Sequence, residues 1–126
     1  MNDGEGAALK LLIVDDHAIV REGLQRVLES AAPDWQVAEA AGGFQALDLL
    51  RRQAFDLAII DLSMPDMSGL ELLRRVRADH PKTKVLVLSM HAEEQYAVRA
   101  FKAGANGYVT KDSAAAELVA AVRKVA

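Results

Sequence analysis

Apolar positions gather in five short runs, at 9–14 (LKLLIV), 35–40 (WQVAEA), 57–60 (LAII), 84–88 (KVLVL) and 107–110 (GYVT). Three of these are rich in Val, Ile and Leu, with almost no polar alternation. Strands covered on both faces, as in a parallel sheet, have this pattern. Between the runs the apolar residues change to helical spacing. Val20, Leu24, Val27 and Leu28 share one face, as do Ala46, Leu47 and Leu50, then Leu72, Leu73 and Val76. Val98, Phe101 and Ala105 form a fourth set, and Leu118, Val119 and Val122 a fifth. Breakers separate the elements: Pro33, Gly42 and Gly43, Pro65, Gly69, Pro81 and Gly104, the last placed to end a helix. Strand and helix thus alternate five times. This predicts a three-layer α/β domain with a parallel sheet and right-handed crossovers.

The 126 residues suit one compact domain, and no internal repeat or linker interrupts it. The expected division is a loose segment at 1–8 and a domain at 9–126. No apolar run approaches the length of a membrane span, and MNDGEGAALK lacks the regions of a signal peptide. Cysteine is absent, which excludes thiolate catalysis and Cys-ligated zinc and fits a cytoplasmic setting. A net charge of −3 offers no electrostatic basis for binding nucleic acid or anionic lipid.

The chemical signal is positional. Asp15 and Asp16 follow Val14, Asp61 follows Ile60, Ser89 follows Leu88 and Lys111 follows Thr110. In an open parallel sheet the carboxyl ends of the strands line one edge, where ligands bind. Three carboxylates, a hydroxyl and an ammonium therefore converge. The carboxylates resist joint ionisation unless a cation relieves them. All-oxygen ligands favour Mg²⁺, with Mn²⁺ as the second choice. Such a set can neutralise and position a phosphoryl group around a carboxylate that forms an aspartyl phosphate. Singly, each residue has an ordinary explanation: Asp16 could cap a helix, Ser89 could be a loop residue, and Lys111 could be a solvated surface charge. Their common register favours the joint reading.

The segments IVDDH (13–17), DLSMPDMSGLE (61–71), VLVLSMH (85–91) and GANGYVTKD (104–112) resemble the receiver domains of bacterial two-component response regulators. VDDHAIVREGL and KAGANGYVTKD point to the NarL/FixJ-type branch, whose members usually carry a LuxR-like helix-turn-helix output domain. The resemblance implies a flavodoxin-like (βα)5 fold of strand order 2-1-3-4-5. It implies Asp61 as the phosphorylated residue and Asp16 as a direct Mg²⁺ ligand, with Asp15 acting through water and Ser63 supplying its backbone carbonyl. Lys111 then contacts the phosphoryl group, and Ser89 and Tyr108 form the switch. The implied donor is a histidine kinase or phosphotransfer protein, and such a domain catalyses only its own phosphorylation and dephosphorylation. The Ala- and Val-rich last helix adds the expectation of a phosphorylation-dependent homodimer. No helix-turn-helix is expected within this chain, so DNA binding by it is not.

Many receivers have proline after the lysine, with a cis peptide; here Asp112 follows Lys111, and a cis bond would cost about 3 kcal/mol, so trans is expected. His17 and His91 are expected at the rim of the site, His80 in a loop, and Trp35 packed at the start of the second strand. Three rival readings remain. A pseudo-receiver or stand-alone receiver would act only as an interaction module, against which the intact acids, Ser89 and Lys111 argue. An aspartate-dependent phosphohydrolase would place an acid where Ser63 stands. A flavodoxin-type electron carrier would need a phosphate-binding loop where Asp15 and Asp16 would repel the phosphate.

Overall fold

A computed structural model describes residues 8–91 and 93–126. The strands are β1 (Lys10–Val14), β2 (Gln36–Ala40), β3 (Leu57–Asp61), β4 (Lys84–Ser89) and β5 (Gly107–Thr110). The helices are α1 (Ala18–Ala31), α2 (Gly43–Arg52), α3 (Gly69–Asp79), α4 (Glu94–Lys102) and α5 (Ala114–Val125). The sheet is parallel throughout, in the order β2-β1-β3-β4-β5. The expected loose segment at 1–8 lies outside the described residues except for Ala8, which is exposed and without regular structure.

Alternate strand residues feed two cores. Leu12, Val14 and Ile60 pack with Ala46 of α2 and Leu72 of α3, whereas Leu11, Ile13 and Ile59 pack with Leu28 of α1 and Leu118 of α5. Both faces are covered, which is why the strands carry no polar alternation. Trp35 is buried immediately before β2, with the Arg123 guanidinium 5.6 Å from its ring centre.

Two expectations need correction. β3 and β4 each run one residue further than their apolar runs, so Asp61 and Ser89 are themselves the last residues of the ladder. They pair opposite Leu88 and Thr110, and hydrogen bonding holds their backbones rigidly. α4 also presents a different face to the core from the one its apolar spacing predicts. Val98 and Phe101 are 40% and 50% exposed, and Ala100 is the helix residue fully buried. Hydropathy selected the larger side chains, but alanine lets the helix axis approach the sheet most closely.

The peptide between Lys111 and Asp112 is trans, as expected: among the described residues none is cis. Lys111–Ser113 instead forms a short 3-10 turn leading into α5. Gly104 has φ of +113°, the left-handed region suited to a residue that closes a helix. Gly69 allows a close approach of backbones. A Cβ there would overlap the Asp61 carbonyl oxygen and Leu62 Cα, so its missing side chain lets α3 start directly against the end of β3.

The loop from β3 to α3 is tied down by Asp66. Its carboxylate accepts from the backbone N–H groups of Gly43 and Phe44, both at 3.2 Å, and so caps α2 from a distant part of the chain. The small burial of this carboxyl raises its pKa, but the N–H groups of Phe44, Gly43 and its own loop outweigh that and hold it below the ordinary aspartate value. Asp66→Ala should lower stability by about 1 kcal/mol at neutral pH, the usual worth of a helix cap. A depressed carboxyl contributes stability above its unfolded pKa and loses it as pH falls through the folded one. The difference between variant and parent should therefore begin to shrink in urea melts as pH falls below the ordinary aspartate value of 3.8 and vanish only below the depressed folded value.

Candidate functional site

At the carboxyl edge of the sheet the expected residues come together. Asp15, Asp61 and Ser89 are buried to 1% exposure or less, and the Lys111 side chain is 16% exposed. Lys111 Nζ lies 3.1 Å from Asp61 Oδ2 and 3.3 Å from Asp15 Oδ2, so one ammonium bridges the ends of β1, β3 and β5. The other Asp61 oxygen accepts from the Ser63 backbone N–H at 3.2 Å. Ser63 is otherwise exposed, and its side chain takes no part in this contact. The residues are thus neither loop, cap nor solvated charge: Ser89 ends a strand, Lys111 is ion-paired, and α1 follows an N-cap at His17 without any side-chain cap from Asp16.

Burial pushes the Asp61 carboxyl above the ordinary aspartate value. The Ser63 N–H opposes the rise, the Asp15 charge adds to it, and Lys111 opposes it again. For Lys111 burial acts downward, but Asp61 and Asp15 outweigh it and hold the ammonium above the ordinary lysine value.

One lysine does not satisfy the acids. Asp15 Oδ2 is an ion-pair distance from Lys111 without an aligned hydrogen bond, and Asp16 Oδ1 is buried and accepts no hydrogen bond from the described residues. Asp15, Asp16, His17 and Asp61 can each bring a ligand atom to within 4.8 Å of the others. Three of these four offer carboxylate oxygen, which suits a hard divalent cation, and the orphaned oxygens mark where one would be held. His17 is at the rim as expected, with its side chain 62% exposed. Its Nδ1 nevertheless points back at the acids, 3.2 Å from Asp15 and 3.3 Å from Asp16.

His91 is also on the rim, and its backbone links two distant residues. Its N–H donates to Ser89 Oγ at 3.0 Å, and its carbonyl accepts from the Tyr108 hydroxyl at 2.6 Å. The His91 ring stacks on Tyr96 of α4, with centroids 4.2 Å apart. His80 lies in the loop after α3, at the far edge of the sheet.

Sequence reasoning missed Arg21 and Glu39. Arg21 Nη1 donates to the Asp15 carbonyl at 2.6 Å, and its Nε donates to Glu39 Oε1 at 2.9 Å. One signal was present: Arg21 occupies the first turn of α1, where a cation opposes the helix dipole and needs a local reason to stay.

The chain is similar to known proteins over most of its length. Residues 11–123 match the family described as the response regulator receiver domain. The chain is 37% identical over 117 residues to the response regulator UvrY of Escherichia coli, covering 93% of this chain and 54% of that protein. It is 39% identical over 118 residues to the oxygen regulatory protein NreC of Staphylococcus epidermidis, covering 93% of this chain and 54% of that one. The chain thus spans about half the length of these curated relatives. A crystal structure of a LuxR-family two-component response regulator from Aurantimonas superimposes with a TM-score of 0.88 at 40% identity, over 94% of this chain and 85% of that one.

Proposed function

We propose, from the premise that this chain belongs to the response regulator receiver family, that Asp61 accepts a phosphoryl group in a reaction supported by Mg²⁺. The observation that carries this reading is the Asp61 carboxylate at a strand end, with Lys111 on one oxygen and two unsatisfied acid oxygens beside it. Asp16, Asp61 and the Ser63 backbone carbonyl would hold the metal directly, with Asp15 behind through water; Mn²⁺ suits the same oxygens. When bound, the metal supplies charge neutralisation for the phosphoryl oxygens.

The chain's own groups do the rest. A carboxylate oxygen of Asp61 forms a bond to phosphorus as the donor's P–N or P–O bond breaks. The leaving group is the imidazole of a histidine kinase or phosphotransfer protein, or the carboxylate of a small acyl phosphate. Lys111 transfers its hydrogen bond from Asp61 to a phosphoryl oxygen. The hydroxyl of Ser89 leaves the His91 N–H to donate to another. That releases one end of a residue whose carbonyl is held by Tyr108, so the charge added at Asp61 reaches β5 and α4 through the backbone of His91. The domain turns over no outside substrate beyond its own phosphorylation and its reversal by water. The conformational change would be read by an output region of the LuxR type, a reading supported by similarity to the Aurantimonas response regulator, which is described as of the LuxR family.

Incubation with acetyl phosphate and Mg²⁺, followed by intact mass measurement, should show a gain of one phosphoryl group. No gain, or a gain that maps to a residue other than Asp61, would overturn the reading.

A further inference from the structure

We infer that Arg21 is a positioning residue for the metal site, setting the direction of the Asp15–Asp16 peptide through a fork shared with Glu39. This rests on the proposed Mg²⁺-dependent function.

The backbone of Asp15 is held at both ends. Its N–H donates to the Ala40 carbonyl at 3.1 Å, at the close of β2, and its carbonyl accepts from Arg21 Nη1 at 2.6 Å. Its Oδ1 accepts from the His17 N–H at 2.8 Å, which closes a tight turn around Asp16. The carbonyl of Asp15 and the N–H of Asp16 belong to one planar peptide. Fixing that oxygen therefore fixes the plane from which the Asp16 side chain departs. Without Arg21 the carbonyl loses this donor, the Ala40 and His17 contacts alone hold the turn, and the Asp16 carboxylate is less firmly directed.

Arg21 can do this because Glu39 aims it. The Arg21 and Glu39 side chains are 16% and 27% exposed, and the 2.9 Å contact through Nε leaves the Nη1 end directed at Asp15. A planar guanidinium can satisfy two partners in fixed directions; a lysine ammonium on a flexible stem cannot. Charge points the same way. Asp15, Asp16, Asp61 and Glu39 against Lys111 and Arg21 leave a formal −2, which a divalent cation would balance. Glu39 also offsets a cation that would otherwise repel the metal.

The test is Mg²⁺ titration of the unphosphorylated protein by calorimetry, with Mn²⁺ by electron paramagnetic resonance as a second readout. Arg21→Met and Arg21→Lys should both weaken binding about tenfold, the lower range for partners that orient metal ligands. Melting curves in chelator should stay close to those of the parent. In the acetyl phosphate reaction, the Mg²⁺ concentration for half-maximal rate should rise by the same factor, with the rate at saturating Mg²⁺ unchanged. Parent-like binding by Arg21→Lys would reduce the residue's role to its charge and overturn the inference. Tighter binding by Arg21→Met would overturn it too, as would a loss of affinity matched by a loss of stability in chelator. If the parent binds Mg²⁺ but gains no phosphate, the phosphoacceptor reading fails and the titrations still decide the role of Arg21. A parent that binds no Mg²⁺ overturns both.

Discussion

Asp61→Asn should abolish the phosphate mass gain and, in chelator at neutral pH, make the protein more stable by about 1 kcal/mol. The two effects share a cause. Asp61 is 1% exposed, at the end of a fully buried strand beside the equally buried Asp15. An amide keeps an oxygen to accept the Ser63 N–H but turns its NH2 toward Lys111, which loses that acceptor and retains Asp15, so replacement removes a desolvated charge while Lys111 keeps one carboxylate partner. The sign of the pH dependence follows from the raised carboxyl. Between the ordinary aspartate value and the raised one, the folded protein binds more protons than the unfolded chain, so the parent loses stability as pH rises through that window. Asp61→Asn lacks this slope. Its advantage should be absent below the window and full above it. Mg²⁺ should raise the melting temperature of the parent more than that of the variant. A variant less stable than the parent at neutral pH in chelator would show that the Lys111 contact outweighs the cost of burying the charge.

Lys111→Met should slow phosphorylation by acetyl phosphate about 100-fold, since one directed donor to a developing phosphoryl charge is worth that much. It should also destabilise the protein by about 2 kcal/mol at neutral pH, because Asp15 and Asp61 keep their burial and lose their shared cation. Partial access of water at Lys111 keeps this below the cost of breaking a fully enclosed pair. The gap should narrow in acid, as Asp61 takes up its proton. It should also narrow at high pH. A lysine held above its ordinary value contributes stability that is complete below the unfolded pKa and lost as pH rises through the folded one, here beyond 10.5. The largest difference therefore lies near neutrality. Urea melts across the pH range would show this, and a gap that persisted unchanged into acid would rule out the carboxylates as its source.

The sequence alone determined the sheet and the identity of the residues on its edge. Strands covered on both sides must be apolar at successive positions, so 57–60 and 84–88 stand out without any alignment. A parallel sheet brings every carboxyl end to one side, so the first polar residue after each run identifies Asp15, Asp61, Ser89 and Lys111 as neighbours. Tertiary structure decided what depends on distances between elements far apart in the chain. Apolar spacing put Val98 and Phe101 inward, yet α4 is turned so that Ala100 meets the core, because the closest approach belongs to the smallest side chain. Arg21 is 18 residues from Glu39, and Asp66 is 23 from Gly43; neither contact has a periodic signature, since each exists only where a helix end passes another strand or loop. The strand-end polar residues were legible because backbone register brings them together. The contacts that direct them were not, because side-chain reach across the packed layers sets them.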